Sequence, residues 1–388
     1  MITVIADDIT GAAEMAGIGF RFGLRTSLIT ETGGPLPDCD VLVVATDTRS
    51  MSEQEAVDET HRIVRELVKG GASNFFKKTD SALRGHVVPE LCALLEETSY
   101  TRVLYLPENP SKGRIVREGV YYINEMPLHE TQFAFDPEFP ATTSVVTERL
   151  PGVQQLIYPI SSPFVPKEGV PPIYIADAEL GIHITLQLAL SADPQVLLAG
   201  GADLFTTFIR VMSKNVKKYG TTSLLPFAGL QSGNALIVCG STQSSSLSEQ
   251  DYVRKHGICT KQMPEAVFNG TSSAEDWMTE LKAEYAASRA MILTIGYPSK
   301  GGKEFALRLR NTLSEAVSAL VGEACPEELV IEGGATAFAI LKALGWSRFR
   351  LTDEVAPGVV RMQWTGGENV HVTLKPGSYP WGELFQCE

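Results

Sequence analysis

The chain has 388 residues, 44% of them hydrophobic and 20% charged, which is enough for two ordinary domains or one large one. A formal net charge of −13 argues against long nucleic acid as a partner, because binding it needs a basic face. No run approaches the roughly 20 apolar residues that span a bilayer, so no membrane partner is expected, and the first residues lack the basic-then-apolar pattern of a secretory signal.

In chain order, Ile2–Ala6 reads as a short buried strand with two isoleucines and a valine, and residues 10–22 as a helix whose Gly11 and Ala12 keep its first turn slim. Strands are expected at 26–30, 40–46, 74–79 and 102–107, with helices at 52–68 and 87–97. This βαβα rhythm of β-branched runs argues for a parallel, doubly wound sheet. Residues 119–172 break it with Pro-rich loops and short polar strands, as an insertion would. It resumes with strands at 173–176 and 196–199, a helix separating them, and a helix at 204–217. The stretch 219–233 (YGTTSLLPFAGLQSG) is the linker candidate. A second series follows, with strands at 235–239, 290–295 and 329–332, a long helix at 303–321, a helix through 344 and β structure in VVRMQW (359–364) and NVHVTLKPG (369–377). The fold class is therefore α/β, with two α/β domains of mostly parallel sheet (1–225 and 233–388) and a ligand cleft between them.

The six cysteines (Cys39, Cys92, Cys239, Cys259, Cys325 and Cys387) are scattered without a Cys-x-x-Cys pair, and the six histidines have no ligand spacing. The cysteines read as reduced residues of a cytoplasmic protein, mostly apolar filler, and neither set points to a metal centre.

Four stretches place polar residues directly after an expected strand: Asp7-Asp8-Ile9-Thr10-Gly11, Asp47-Thr48-Arg49-Ser50, Lys77 to Gly85, and Glu108 to Arg114. Parallel strands would bring all four to one sheet edge, where ligands bind in open α/β folds. Arg49, Lys77, Lys78, Arg84, Lys112 and Arg114 would then ring the opening, opposite Asp7, Asp8, Asp47 and Asp80. Guanidinium forks and ammonium charges hold carboxylate or phosphate, and aspartates accept from sugar hydroxyls or act as a base on them. Such a site suits a polyhydroxylated acid. Plainer readings compete with this one. Asp7 and Asp8 could be an N-cap and a solvated neighbour, Asp47 and Arg49 could pair within a loop, and one of Lys77 and Lys78 could be a bystander. In the second half, Cys239-Gly240-Ser241-Thr242 and Glu332-Gly333-Gly334-Ala335-Thr336-Ala337 each run from strand through glycine into helix, a geometry that can hold phosphate on backbone amides. Lys375-Pro376-Gly377 offers a third turn of this kind.

The motifs IADDITGAAE, DTRS, KKTDSALRG, CGSTQSSSLSEQ, EGGATA and LKPGSY, in this order, resemble the four-carbon acid sugar kinase family, whose members phosphorylate D-threonate, D-erythronate and 3-oxo-tetronate. The resemblance implies an N-terminal acid-sugar-binding domain and a C-terminal ATP-binding domain. It assigns Asp8, Asp80, Lys78 and Arg84 as catalytic, and Asp7, Thr10, Gly11, Asp47, Arg49 and Ser81 as substrate-binding. Ser241, Gly333, Gly334, Ala335, Thr336 and Gly377 fall on the ATP side. Family members often carry Asp where this chain has Glu14, and an acid where it has Ala335, which leaves only backbone contacts there. The implied reaction is transfer from ATP, with Mg²⁺ bridging the β- and γ-phosphates, to a terminal hydroxyl held by Asp8 or Asp80. A homodimer is admitted as the assembly. The rival readings are a non-catalytic sugar-acid sensor and an aspartyl phosphatase, whose Asp-x-Asp-x-Thr pattern the adjacent aspartates do not supply.

Overall fold

The computed structural model describes residues 1–136, 138–156, 169–176, 195–213, 229–230, 233–240, 251–297, 301–367, 369–377 and 379–385. The helix expected before residue 196, the end of the 204–217 helix, most of the 219–233 linker, Ser241 and Cys387 lie outside these residues. The chain divides into two compact units, one of Met1–Leu24 with Glu31–Thr222 and one of Arg25–Thr30 with Ser223–Glu388.

The first unit begins with β1 (Ile2–Ala6), fully buried along its length as a central strand covered on both faces should be. Helix α1 (Ile9–Arg21) follows, and its buried Gly11, Ala12, Ala13 and Ala16 let it lie close against the sheet. The next strand in the chain, β2 (Thr26–Ile29), belongs to the other unit. The first unit continues with β3 (Val41–Ala45) and helix α2 (Glu53–Lys69). Ser52 opens α2 with a capping box, its side chain accepting from the Glu55 amide while Glu55 accepts from the Ser52 amide. Then come β4 (Phe75–Lys78), helix α3 (Val87–Glu97) and β5 (Arg102–Leu106).

The insertion opens with a three-stranded antiparallel sheet of β6 (Arg114–Arg117), β7 (Val120–Ile123) and β8 (Met126–Pro127). It continues through short 3₁₀ turns and the helix Val146–Arg149 into β9 (Val153–Leu156). The strands β10 (Ile173–Ala176) and β11 (Val196–Gly200) and the helix Ala202–Ser213 complete the unit. Its strand order is β3-β1-β4-β11-β5-β10-β9, every pair parallel. The chain leaves β1 toward β3 and then returns past β1 to β4, so β1 stands at the reversal of strand order where open α/β sheets bind ligands.

In the second unit, β12 (Ala235–Cys239), β13 (Cys259–Gln262), β14 (Met291–Thr294) and β15 (Glu328–Glu332) precede β16 (Arg348–Ala356), β17 (Val359–Trp364) and β18 (His371–Lys375). The order β13-β14-β12-β15-β18 is parallel, while β18, β17, β16 and β2 pair antiparallel. Two expectations are corrected here. The strand at 26–30 does not extend the first parallel series; Arg348 to Arg350 pair antiparallel with Ser27 to Ile29. The strand β16 was also not anticipated, because only Phe349 and Leu351 are buried and the half-buried Thr352, Asp353 and Glu354 that follow carry little apolar signal. Both corrections have one cause, since pairing across a sheet joins segments far apart in sequence.

Lys77 is a further correction. Neighbouring strand residues face opposite sides of a sheet, and Lys77, only 1% exposed, turns away from the carboxyl edge to pair with the equally buried Glu90 of α3. Removing one partner of such a pair strands a buried charge. Lys77→Met is expected to lower stability by about 3–5 kcal/mol, and Lys77→Met/Glu90→Leu to recover most of it, read as urea midpoints.

Candidate active site

The carboxyl ends of β1, β3 and β4 carry a single charge cluster. Asp8 caps α1 in extended conformation, its Oδ1 accepting from the Gly11 amide at 3.0 Å and its Oδ2 from the Thr10 hydroxyl. The capping reading is therefore met, yet Asp7 is no solvated neighbour: it is 4% exposed and held by Arg49. Arg49 stands on the 3₁₀ turn Thr48–Ser50 after β3. Its Nε donates to Asp7 Oδ2 at 2.8 Å, and its Nη2 to Asp7 Oδ1 at 3.0 Å and Asp8 Oδ1 at 2.8 Å, while Nη1 lies 3.5 Å from Asp80 Oδ1. Arg49 is thus bound to the aspartates of β1 and β4. Asp47 begins that 3₁₀ turn in the left-handed region, at φ 56°.

After β4, Asp80 takes a bidentate fork from Arg84, Nε and Nη2 each at 2.9 Å, and accepts from the Ala82 amide at 2.9 Å. Arg84 also donates through Nη1 to Asp136 Oδ2 at 3.1 Å. Gly85 sits at φ +87° with its α-carbon so near this network that a β-carbon would meet Asp7 Oδ2 at 3.2 Å. Lys78 is 4% exposed, and its Nζ donates to the Thr79 carbonyl at 2.7 Å. The Ser81 hydroxyl accepts from Arg114, and the Lys112 ammonium pairs with Glu14 of α1 at 2.5 Å.

Burial alone would raise the aspartate pKa values, but the neighbouring cations reverse the sign. Asp8 is held below its usual 3.8 by Arg49, Lys78 and the Thr10 hydroxyl. Asp80 is held far lower by Arg49 and by the Arg84 fork. Arg49 and Arg84, though desolvated, are held above the ordinary arginine range by the same aspartates.

Asp136, Phe133 and Arg149 were not anticipated. All come from the Pro-rich insertion, whose sequence has no periodicity to place it, and Asp136 meets Arg84 across 52 residues of chain. Arg84 and Arg114 lie 5.3 and 5.7 Å from the centroid of the Phe133 ring. Arg149 donates to the Phe139 and Pro140 carbonyls, both at 3.0 Å, which fastens the insertion to itself.

In the second unit the carboxyl ends of β12, β15 and β18 stand side by side in register, Cys239 with Glu332 and Glu332 with Lys375. Gly333, at φ 98°, precedes the helix Gly334–Leu344, whose first turn has no side-chain cap and leaves Ala335 exposed. Thr336 is buried against Gly240, where a β-carbon would approach its Oγ1 to 2.2 Å. Glu332 and Lys375, 1% and 3% exposed, pair at 2.6 Å, and Lys375 also donates to the Pro376 and Gly377 carbonyls at 3.1 and 3.3 Å. Gly377 is thereby fixed beside the Gly333 turn through the Glu332 carboxylate. That buried pair also escaped the sequence reading, which took Lys375 as part of a loop.

A sugar-binding N-terminal domain family matches residues 2–155, and a nucleotide-binding C-terminal domain family matches residues 236–379. A D-threonate kinase of Bordetella bronchiseptica is 28% identical over 400 residues, covering 97% of this chain and 94% of that protein. A 3-oxo-tetronate kinase of Pseudomonas fluorescens is 25% identical over 413 residues, covering 99% and 95%. Among solved structures, a chain from Salmonella typhimurium LT2 superposes with a TM-score of 0.75 at 21% identity, covering 99% of this chain and 97% of that one. Haemophilus influenzae protein HI1011 gives 0.71 at 19% identity, covering 99% and 98%. These two establish the fold. With both domain families matched in order and these kinases aligned over nearly its whole length, the chain belongs to the four-carbon acid sugar kinase family.

Proposed function

We propose that this protein is an ATP-dependent kinase that phosphorylates a terminal hydroxyl of a four-carbon sugar acid of the threonate, erythronate or 3-oxo-tetronate type. The observation that carries this reading is the desolvated cluster of Asp7, Asp8, Asp80, Arg49 and Arg84 at the reversal of strand order. Phosphoryl transfer asks mainly for positioning and charge neutralisation, which rigid ionic clusters supply.

In this reading Arg49 and Arg84 fix the aspartates, and Lys78 screens charge on the transferring group. Asp8 is the carboxylate that orients the attacking hydroxyl. Its side chain is 19% exposed against 8% for Asp80, and both Asp80 oxygens are taken by the Arg84 fork. Thr10 and Gly11 hold Asp8 in place.

On the nucleotide side, the uncapped amides at Gly334 and Ala335 and the crowded Gly240 favour close approach of phosphate to backbone. Among the described residues no group of three or more His, Cys, Asp or Glu converges as a metal site. Mg²⁺ bound with the nucleotide would supply charge neutralisation at its phosphates.

A coupled assay with ATP·Mg across threonates, erythronates and 3-oxo-tetronates tests the assignment, and absence of turnover with every one of them would discard it. Asp8→Asn is expected to lower kcat by about 10²–10⁴-fold, with the KM for ATP unchanged. Because the Asp8 carboxyl is held below 3.8, its ionised form persists at every pH above that, and the acid limb of the rate profile is expected below about pH 4. Gly240→Ala is expected to raise the KM for ATP while leaving that for the sugar acid unmoved, as steady-state kinetics would show.

A further inference from the structure

At the carboxyl edge of the first unit's sheet, nearly every cation is already neutralised. Lys112 is matched by Glu14, Arg49 by three aspartates, and Arg84 by Asp80 and Asp136, while Lys77 has turned away to Glu90. Two others have a clear place. Arg149 gives both terminal nitrogens to backbone carbonyls, and Lys78 lies against the start of α1, within the field of Asp8. Arg114 is different. Among the described residues it forms no ion pair with a carboxylate; its Nη1 donates to the neutral hydroxyl of Ser81. That hydroxyl in turn donates to nothing among the described residues, so its proton remains for an incoming acceptor.

The surroundings hold Arg114 ready. Its backbone is pinned to Asn109 by two hydrogen bonds, at 2.8 and 3.2 Å, and its guanidinium packs on the Phe133 ring. Ser81 is fixed through its own carbonyl, which accepts from the buried Tyr121 hydroxyl at 2.5 Å. On the far side of Ser81, the Asp80–Arg84 fork leaves no spare positive charge of its own. An arginine and a hydroxyl side by side, with one uncompensated charge, form a receptor for a planar anion.

We propose that Arg114, together with the Ser81 hydroxyl, receives the carboxylate of the polyhydroxy acid, while Arg49 and Arg84 serve to hold the aspartates. This rests on the acid-sugar reading above and sets the direction of the substrate: carboxylate toward Arg114, terminal hydroxyl toward Asp8. Asp136 keeps Arg84 from competing for that carboxylate.

The test uses the full chain and two ligand sets: the tetronates, and threitol and erythritol, in which a neutral hydroxymethyl replaces the carboxylate. Arg114→Met is expected to raise the KM for the tetronate roughly 10–100-fold, with the KM for ATP unchanged, as expected for loss of a charged hydrogen bond. It should also abolish the rise in Tm that a tetronate gives the wild-type protein without nucleotide. Arg114→Lys keeps the charge and is expected to recover part of that affinity, which a packing defect at Phe133 would not allow. An Arg114→Met protein that binds the tetronate as wild type does overturns the proposal. So does one that loses the tetronate and the neutral polyols alike. If no tetronate is turned over by the wild type, yet its Tm shift depends on Arg114, the kinase reading falls and this one stands. If no tetronate moves the wild-type Tm, both fall.

Discussion

Three carboxylates share one guanidinium. Asp7 and Asp8 leave β1 together, Asp80 leaves β4 beside them, and with little solvent to screen them the three would repel strongly. Arg49, delivered from the end of β3 on the other side of β1, touches all three. The strand order β3-β1-β4 is what lets a residue 42 positions along the chain reach both sides of this group. The rest of the site is arranged around that constraint, since any ligand must enter a region where charge is already closely balanced.

That balance distinguishes two kinds of arginine. Arg49 and Arg84 have their charge taken up by aspartates and act as parts of the scaffold, fixed in direction by bidentate or shared contacts. Desolvation makes such pairs poor contributors to net stability but good holders of geometry, because breaking one leaves a buried charge uncompensated. Lys78 gives its hydrogen bond to the Thr79 carbonyl while lying in the field of Asp8 and Asp80, and among the described residues Arg114 forms no ion pair with a carboxylate; on the proposal above, Arg114 is where the substrate's carboxylate would bind. The same division recurs in the second unit. There the Glu332–Lys375 pair is fully inside and shapes the Gly333 and Gly377 turns, while the uncapped helix start presents bare amides.

The insertion links chemistry to architecture in the first unit. It has no strand in common with the parallel sheet until β9, yet it supplies Asp136 to Arg84, Phe133 to two guanidinium groups and Arg149 to its own closure. Loops tolerate change more easily than buried strands, so this part of the first unit can vary without disturbing the Asp7–Arg49–Asp80 core.

The sequence by itself determined the α/β class, most strand and helix positions, and the meeting of polar turns at one edge. It could do so because β-branched runs alternating with amphipathic helices leave parallel strands as the consistent solution. The short motifs at Asp7–Gly11 and Lys78–Gly85 also marked members of the charge cluster, because they are contiguous in the chain. Only the tertiary structure decided which cation meets which acid. Lys77 and Lys78 are indistinguishable as neighbours in sequence, and the pleat sends one to Glu90 and the other to the site. Asp136 and β16 were illegible for a related reason. An ion pair spanning 52 residues and an antiparallel pairing of Arg348 to Arg350 with Ser27 to Ile29 arise from packing in three dimensions, which local periodicity does not encode.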